Sequence, residues 1–548
     1  MLSIVAFTTF ACGHGEPPPA AEAPDPPEVV LGERLFLETR FAQYFAAHSN
    51  GVINAPLSEG DPIMDATLTL AEPLPGPFAG QSMNCRACHL VDEQGEEPSG
   101  GVRTYADFAR RSPIPEREDG EVTTPRNSPP LVNASLSRAV PVFFHFDGEF
   151  PTLVDLIKGT FTGRNFGWLA DEAAVATAHI AGVVRGDDGR GALARENGGL
   201  PYRVVLAGVD PAIPSALLIP PEFRFDVDQA TDGEVLDGIS RLVAAYVESL
   251  VFARDATGEF DGSPYDRFLR KNGLPRTPAA GESALDYSRR LRSLVAALQS
   301  PQFVSLRDGS FELHTQEFRF NATELEGLRI FLREPAGEGA GAAHGVGNCI
   351  ACHAAPTFTD FRFHNTGATE EEYDQLHGSG AFASLTIPDL ATRNAAPAAY
   401  LPPSAAYPTA RGPFRQVPAV ARPGETDLGV WNILGNPAIP GPQEALQASL
   451  CQQFGLTASA CAADALLPFT IAVFKTPGLR DLGQSAPYLH TGQKDTVEDV
   501  LRFYISASTK ARAGSLRNAA PELSGMRLDA EDVVPLAAFL RALNEDYQ

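Results

Sequence analysis

Apolar residues recur at helical spacing in several separate stretches of the chain. Near the start, Val30, Leu31, Leu35 and Phe36 suit one face of a short helix. Thr152 stands as the N-cap of a second helix that carries Leu153, Leu156 and Ile157 inward. Around residues 323–331, Thr323 and Glu326 have the spacing of a capping box. Thr496 caps a helix on which Val497, Val500, Leu501 and Tyr504 share a face. Toward the end, Val533, Leu536, Leu540 and Leu543 form a last helical stripe, and Pro535 implies a kink or a late start. Strand signals are few, so the pattern predicts a mostly α fold. Pro/Gly-rich loops cover residues 57–80 and 336–347. Residues 369–470, rich in Ala, Pro and Gly with little periodicity, read as long irregular insertion loops.

Composition adds scale. With 548 residues, 44% of them hydrophobic, the chain exceeds one small core. It divides on this reading into a leader and tether (1–28), an N-terminal module (29–262) and a C-terminal module (263–548). The formal charge of −25 makes nucleic acid an improbable ligand and suits a solubilising surface or the steering of a basic partner. No other stretch is apolar for long enough to span a bilayer. Cys12 follows an apolar stretch and precedes a Pro/Ala/Glu-rich run, an order similar to a bacterial lipoprotein signal, although no Lys or Arg opens it. Cys451 and Cys461 are either a disulfide closing a short loop or two separate buried thiols.

The remaining four cysteines carry the chemistry. Cys85-Arg86-Ala87-Cys88-His89 and Cys349-Ile350-Ala351-Cys352-His353 repeat the spacing used for covalent haem c attachment. Two thiols bond the porphyrin vinyl groups, and the adjacent imidazole lies beneath the iron. A zinc site shared by the two pairs would leave the repeated His unexplained. Covalent haem attachment in bacteria is extracytoplasmic, so export to the periplasm or cell surface is expected, with a lipid anchor through Cys12 as an option.

Further blocks resemble the bacterial di-haem cytochrome c peroxidases. They are Arg126-Asn127-Ser128-Pro129, Phe146-Asp147-Gly148, Ser263-Pro264-Tyr265-Asp266-Arg267, Phe358-Thr359-Asp360, Phe363-His364-Asn365-Thr366-Gly367, Lys475-Thr476-Pro477-Gly478-Leu479-Arg480 and Ala486-Pro487-Tyr488-Leu489-His490. They occur in family order around the two haem motifs. The resemblance implies two facing cytochrome c-like haem domains, with a first haem as reaction centre and a second receiving electrons. It implies calcium near the interface on Asn127, Ser485 and Pro487, and a haem propionate partner in Arg480. Fourteen residues beyond His490, at the second haem's other ligand position, stands Tyr504. Tyrosine there is similar to the branch that matures the tryptophylquinone cofactor of methylamine dehydrogenase.

The chain departs from the family around the first haem. Phe146 replaces the usual Trp, and the register puts Phe166 where a catalytic Glu is usual. Arg164 and Asn165 stand nearby to stabilise charge, and Trp168 to replace the missing aromatic. Asp171, Glu172 and His145 are the other groups within reach of the register. Tyr105 occupies the place of the family's switchable His, sixteen residues after His89. Three functions follow as alternatives: hydrogen peroxide reduction with electrons from a small cytochrome c or cupredoxin; oxidation of a protein or other large organic substrate; and electron transfer without catalysis. Dimers are common in the family, but no segment here argues for one.

Overall fold

A computed structural model describes residues 24–55, 83–85, 88–89, 94–95, 101–102, 111, 114–115, 117–121, 123–134, 143–311, 314–335, 344–439 and 443–546. The expectations for Cys12, Tyr105 and most of the loops at 57–80 and 336–347 lie outside these residues. Helices dominate. The strands among the described residues are two-residue pairs, Gln94–Gly95 with Gly101–Val102 and Phe363–His364 with Phe474–Lys475.

Three hydrophobic cores organise the chain. The first draws on residues between Val29 and Leu250. Its helix Pro27–Phe36 crosses Asp232–Ser249 so closely that a Cβ on Gly32 would lie 2.2 Å from the Leu242 carbonyl oxygen. The second core draws on residues between Tyr265 and Leu543. There Ala322–Leu332 crosses Val533–Arg541, and a Cβ on Gly327 would lie 1.9 Å from the Pro535 carbonyl oxygen. Both crossings bring backbones together where only glycine leaves room.

Helix starts follow the sequence with one correction. Thr152 caps Leu153–Phe161 and Thr496 caps Val497–Arg512, each hydroxyl accepting from the backbone N–H of the Asp three residues on. Thr323, however, is not the cap of its helix. Asn321 takes that place in a box with Glu324, because an Asn side chain two residues earlier reaches the first free N–H groups. Pro535 marks a late start, since the last helix runs Val533–Arg541.

Residues 369–470, expected as long irregular loops, instead carry helices, among them Leu390–Ala395, Pro397–Tyr400 and Gln443–Gln453, and begin within Ala368–His377. They contribute most of a third core around the fully buried Trp431, Phe414, Leu428 and Leu434. The Arg393 guanidinium lies over the Trp431 ring at 4.9 Å and donates to the Leu434 carbonyl at 2.6 Å. Cys451 and Cys461 are joined as a disulfide at the rim of this core. Low periodicity here reflects short helices joined by turns: Gln443–Gln453 brings Leu446 and Leu450, while Phe414 and Leu428 come from segments between helices.

Candidate haem and cation sites

The two Cys-x-x-Cys-His segments close with the same backbone bond. The His89 N–H donates to the Cys85 carbonyl at 3.0 Å, and the His353 N–H to the Cys349 carbonyl at 2.7 Å. The His353 Nδ1 lies 2.8 Å from the Phe358 carbonyl, and the His89 ring is bonded to the Pro129 carbonyl. A backbone acceptor fixes the tautomer and leaves the other ring nitrogen as an electron-pair donor. Burial keeps both imidazoles neutral, pushing His89 down to about 4 and His353 below its usual value. Neutral imidazoles beside paired thiols are the donor set that haem c requires.

The turns differ in what faces them. His89 opens onto a cavity of about 300 Å³ between the first and second cores. Phe144, His145, Phe146, Leu156 and Phe252 wall it from one side, and Thr357, Thr359, Phe361, Thr476 and Arg480 from the other. Beside the second turn lies Tyr504, on the helix Val497–Arg512. Burial raises its phenol well above the usual range, and the charges of Cys352 and Cys349 add to that. The helix capped at Thr496 thus sets a phenol close to the second cysteine pair.

Of the three residues picked out near the first site, only Asn165 lines the cavity. Arg164 turns away, its guanidinium held by Asp119 at 2.6 and 3.0 Å. Trp168 lies in the first core, where its N–H donates to the Phe41 carbonyl at 3.2 Å and its ring meets His179; it does not line the cavity. Phe166 is buried in the same core against Phe161. Asp171 is exposed, and Glu172 pairs with Arg117 at 2.9 Å. Phe146 lies 6.4 Å from the His490 ring, which stacks on Phe474 at 3.5 Å. Burial pushes His490 down to about 3.

Arg480 lines the cavity, but its guanidinium makes two 2.9 Å bonds to the Asp266 carboxylate and lies over Phe260. That buried ion pair takes up the guanidinium on which the propionate reading relied.

Asn127 and Pro487 meet as the cation reading requires. The Asn127 Nδ2 points at the Pro487 carbonyl and lies 3.1 Å from that of Leu489, while its Oδ1 is buried without a hydrogen bond. Turning the amide over would satisfy neither oxygen unless a cation lay between them. The donors fit a hard cation. Ser485 lies close by, but its hydroxyl is 3.4 Å from the Asp481 and Leu482 carbonyls.

Sequence reading missed a charged network beside the cavity. The Arg415 guanidinium binds Glu149 at 2.5 and 3.3 Å, and Glu149 lies 3.1 Å from the His145 Nδ1. Arg126 links Asp147 and Asp427 behind them. Glu149 stands one residue past the Phe-Asp-Gly landmark and was open to notice. Arg415 comes from the aperiodic insertion, where nothing marked it.

No protein-family model matches the chain. It is similar to the cytochrome-c peroxidase IdrP2 of Denitromonas iodatirespirans, at 27% identity over 200 residues. That match covers 36% of this chain and 37% of the relative, so it spans little more than a third of the curated protein. The diheme peroxidase BthA of Burkholderia thailandensis E264 aligns over 95% of this chain and 87% of its own, at 16% identity and a TM-score of 0.40. A MauG-like protein associated with microbial copper homeostasis aligns over 99% and 96%, at 16% identity and a TM-score of 0.42. Helical cores closing on paired Cys-x-x-Cys-His turns define the class. The chain is similar over about a third of its length to a cytochrome-c peroxidase, and it carries the paired haem-attachment motifs that the sequence showed.

Proposed function

We propose that the chain is an extracytoplasmic di-haem c-type enzyme that reduces hydrogen peroxide to water, taking electrons from a small cytochrome c or cupredoxin. The observation that carries this reading is the asymmetry of two matched turns: one His opens onto a cavity, and the other turn is faced by a phenol. Haem, bound through Cys85 and Cys88 and through Cys349 and Cys352, supplies the electron transfer and the site of peroxide cleavage. His89 and His353 each offer a neutral nitrogen held by a backbone carbonyl. Tyr504 would offer a hard oxygen donor to the second haem, a ligand type that would favour oxidised iron there. Phe144, Phe146, Leu153, Leu156 and Phe252 line the first site with apolar surface, and Asn165 offers a hydrogen bond there. Calcium, on Asn127 and Pro487 with Ser485 nearby, would tie the two sides of the cavity together.

The test is peroxide-dependent oxidation of a reduced small cytochrome by the purified calcium-loaded protein, both fully ferric and pre-reduced by one electron. Turnover is expected in at least one state. Tyr504→Phe should abolish the low-spin signal of one haem and leave the other; an unaltered low-spin spectrum rules out the ligand. A second reading, oxidation of a large organic substrate, is favoured by Tyr504 together with a cavity whose lining carboxylate, Asp481, is already paired with His314 at 2.8 Å. It predicts a spectrum that responds to peroxide while reduced cytochrome stays a poor donor.

A further inference from the structure

Peroxide reduction needs a group that takes a proton from one oxygen and gives one to the other. The residue at the family's position for that group, Phe166, is in the first core, and Asp171 and Glu172 face elsewhere. His145 faces the cavity.

Its placement is built rather than incidental. Residues 144–150 form a tight hairpin in which the Phe144 N–H donates to the Phe150 carbonyl at 2.8 Å. His145 sits in the left-handed region, φ 62°, where a non-glycine residue is held only by its surroundings. Phe150 supports the ring edge-on at 5.0 Å. The Nδ1 lies 3.1 Å from the Glu149 Oε2, which leaves Nε2 without a hydrogen bond among the described residues. Glu149 is fixed in turn by Arg415. Burial would raise the Glu149 carboxyl, but Arg415 and His145 outweigh it and hold the group ionised, below the usual range.

His145, Asp147 and Glu149 also lie within reach of a common metal ion. Two guanidiniums occupy that place: Arg126 on Asp147 and Arg415 on Glu149. The cluster is therefore a charge-paired support for an imidazole, not a cation site.

We propose that His145 is the proton-transfer residue of the first haem cavity, with Glu149 and Arg415 as its positioning residues. The proposal rests on the peroxidase reading and supplies the group that reading lacks. Nε2 accepts the proton from the inner peroxide oxygen and passes it to the outer oxygen, which leaves as water when the O–O bond breaks. The transfer is redox-neutral in itself; the cleavage takes two electrons from the haem pair. The oxygen left behind would take two protons from solvent to become the second water, and two electrons from the donor would restore the haem pair. Glu149 stabilises the imidazolium between the two transfers, as a carboxylate behind a catalytic His does elsewhere.

Hydrogen cyanide provides a test that does not depend on peroxide turnover, because it must also surrender a proton as it binds ferric iron. Its association rate at the first haem is followed by the Soret band in the unchanged protein, His145→Gly and His145→Gln. Glycine suits the left-handed backbone, so folding is retained, and haem content and Tm check this. Both variants should associate at least about 100-fold more slowly. Rates within threefold of the unchanged protein would overturn the proposal. Glu149→Gln provides a second readout. His145 is faced by Glu149, Asp147 and Arg415, with His89 and Lys475 on the same cavity. Removing the Glu149 charge should move the acid-side decline of the association rate to lower pH; a profile that does not move excludes Glu149 as the positioning residue. If the unchanged protein fails to reduce peroxide yet the variants slow cyanide as described, the peroxidase reading falls and the role of His145 stands.

Discussion

The two Cys-x-x-Cys-His turns are alike on the side that anchors and unlike on the side that reacts. Both fold through a His N–H to Cys carbonyl bond, both imidazoles are neutral, and both lie in cores where helices cross at a glycine. Beside the second turn, one local helix brings Tyr504 near Cys352 and Cys349. Around His89, the cavity gathers Phe144, Leu153 and Val247 of the first core, Phe146 from the edge of the third, and Arg415 from the insertion. An anchor can be encoded in five consecutive residues. A reaction pocket needs side chains distant in sequence, and there the two halves are free to diverge.

The sharpest way to break this comparison is to put the acid back where the family register expects it. Phe166→Glu should not create a peroxidase pocket, because Phe166 is 2% exposed and packs against Phe161. It should cost about 4 kcal/mol or more, by lost packing and a buried charge. Urea denaturation followed by the first haem's spectrum checks this. A stable variant with enhanced peroxide turnover would show that Phe166 does face the reaction site.

The glycine crossings test whether the anchoring sides are equivalent. Gly32→Ala and Gly327→Ala each set a methyl against a backbone carbonyl and should each lose about 2 kcal/mol despite alanine's better helix propensity. The second loss should be larger, since its crossing is tighter, at 1.9 against 2.2 Å. Each loss should appear in chemical denaturation monitored at the corresponding haem.

What the sequence disclosed follows the same division. The haem turns, the Thr152 and Thr496 caps and the face carrying Tyr504 are local patterns, and all were legible. The meeting of Asn127 with Pro487 came only through resemblance, because hundreds of residues separate them. Trp168 and Arg164 were misassigned because linear distance from a landmark does not say which way a side chain turns. Arg480 was matched to a propionate with no sign that Asp266 would take its guanidinium. The third core stayed hidden because its helices are short and Phe414 and Leu428 come from segments between them.

Buried acids should separate the halves by pH. In the first core, burial would raise Glu38, but Arg40 and the Tyr202 hydroxyl hold it below its ordinary value of 4.5. Its contribution is present above that value and is lost as pH falls through the folded pKa. In the second, burial raises Glu545 well above 4.5, and Arg480 only partly opposes this. Its contribution is present below 4.5 and is lost as pH rises through the folded pKa. Glu545→Gln should therefore stabilise the protein by about 1–2 kcal/mol at pH 8 and have little effect at pH 4. Urea midpoints at the two pH values decide it; an equal shift at both would mean that Glu545 does not titrate as its burial implies.

The smallest effect tests the two sides most directly. Thr152 and Thr496 cap their helices through the same bond, to the N–H of Asp155 at 3.0 Å and of Asp499 at 3.2 Å. Removing either hydroxyl with Ala should cost about 1 kcal/mol. Equal costs in stability need not mean equal consequences for the haems. Thr152 starts a helix whose Leu153 and Leu156 only wall the cavity, so its loss should leave both haem spectra in place. Thr496 starts the helix that carries Tyr504, two turns from the cap, so fraying there should loosen the phenol and broaden the second haem's low-spin signal. If Thr496→Ala leaves that signal as sharp as Thr152→Ala does, then Tyr504 is held by the packing of Phe503 and Ala507 rather than by the start of its helix.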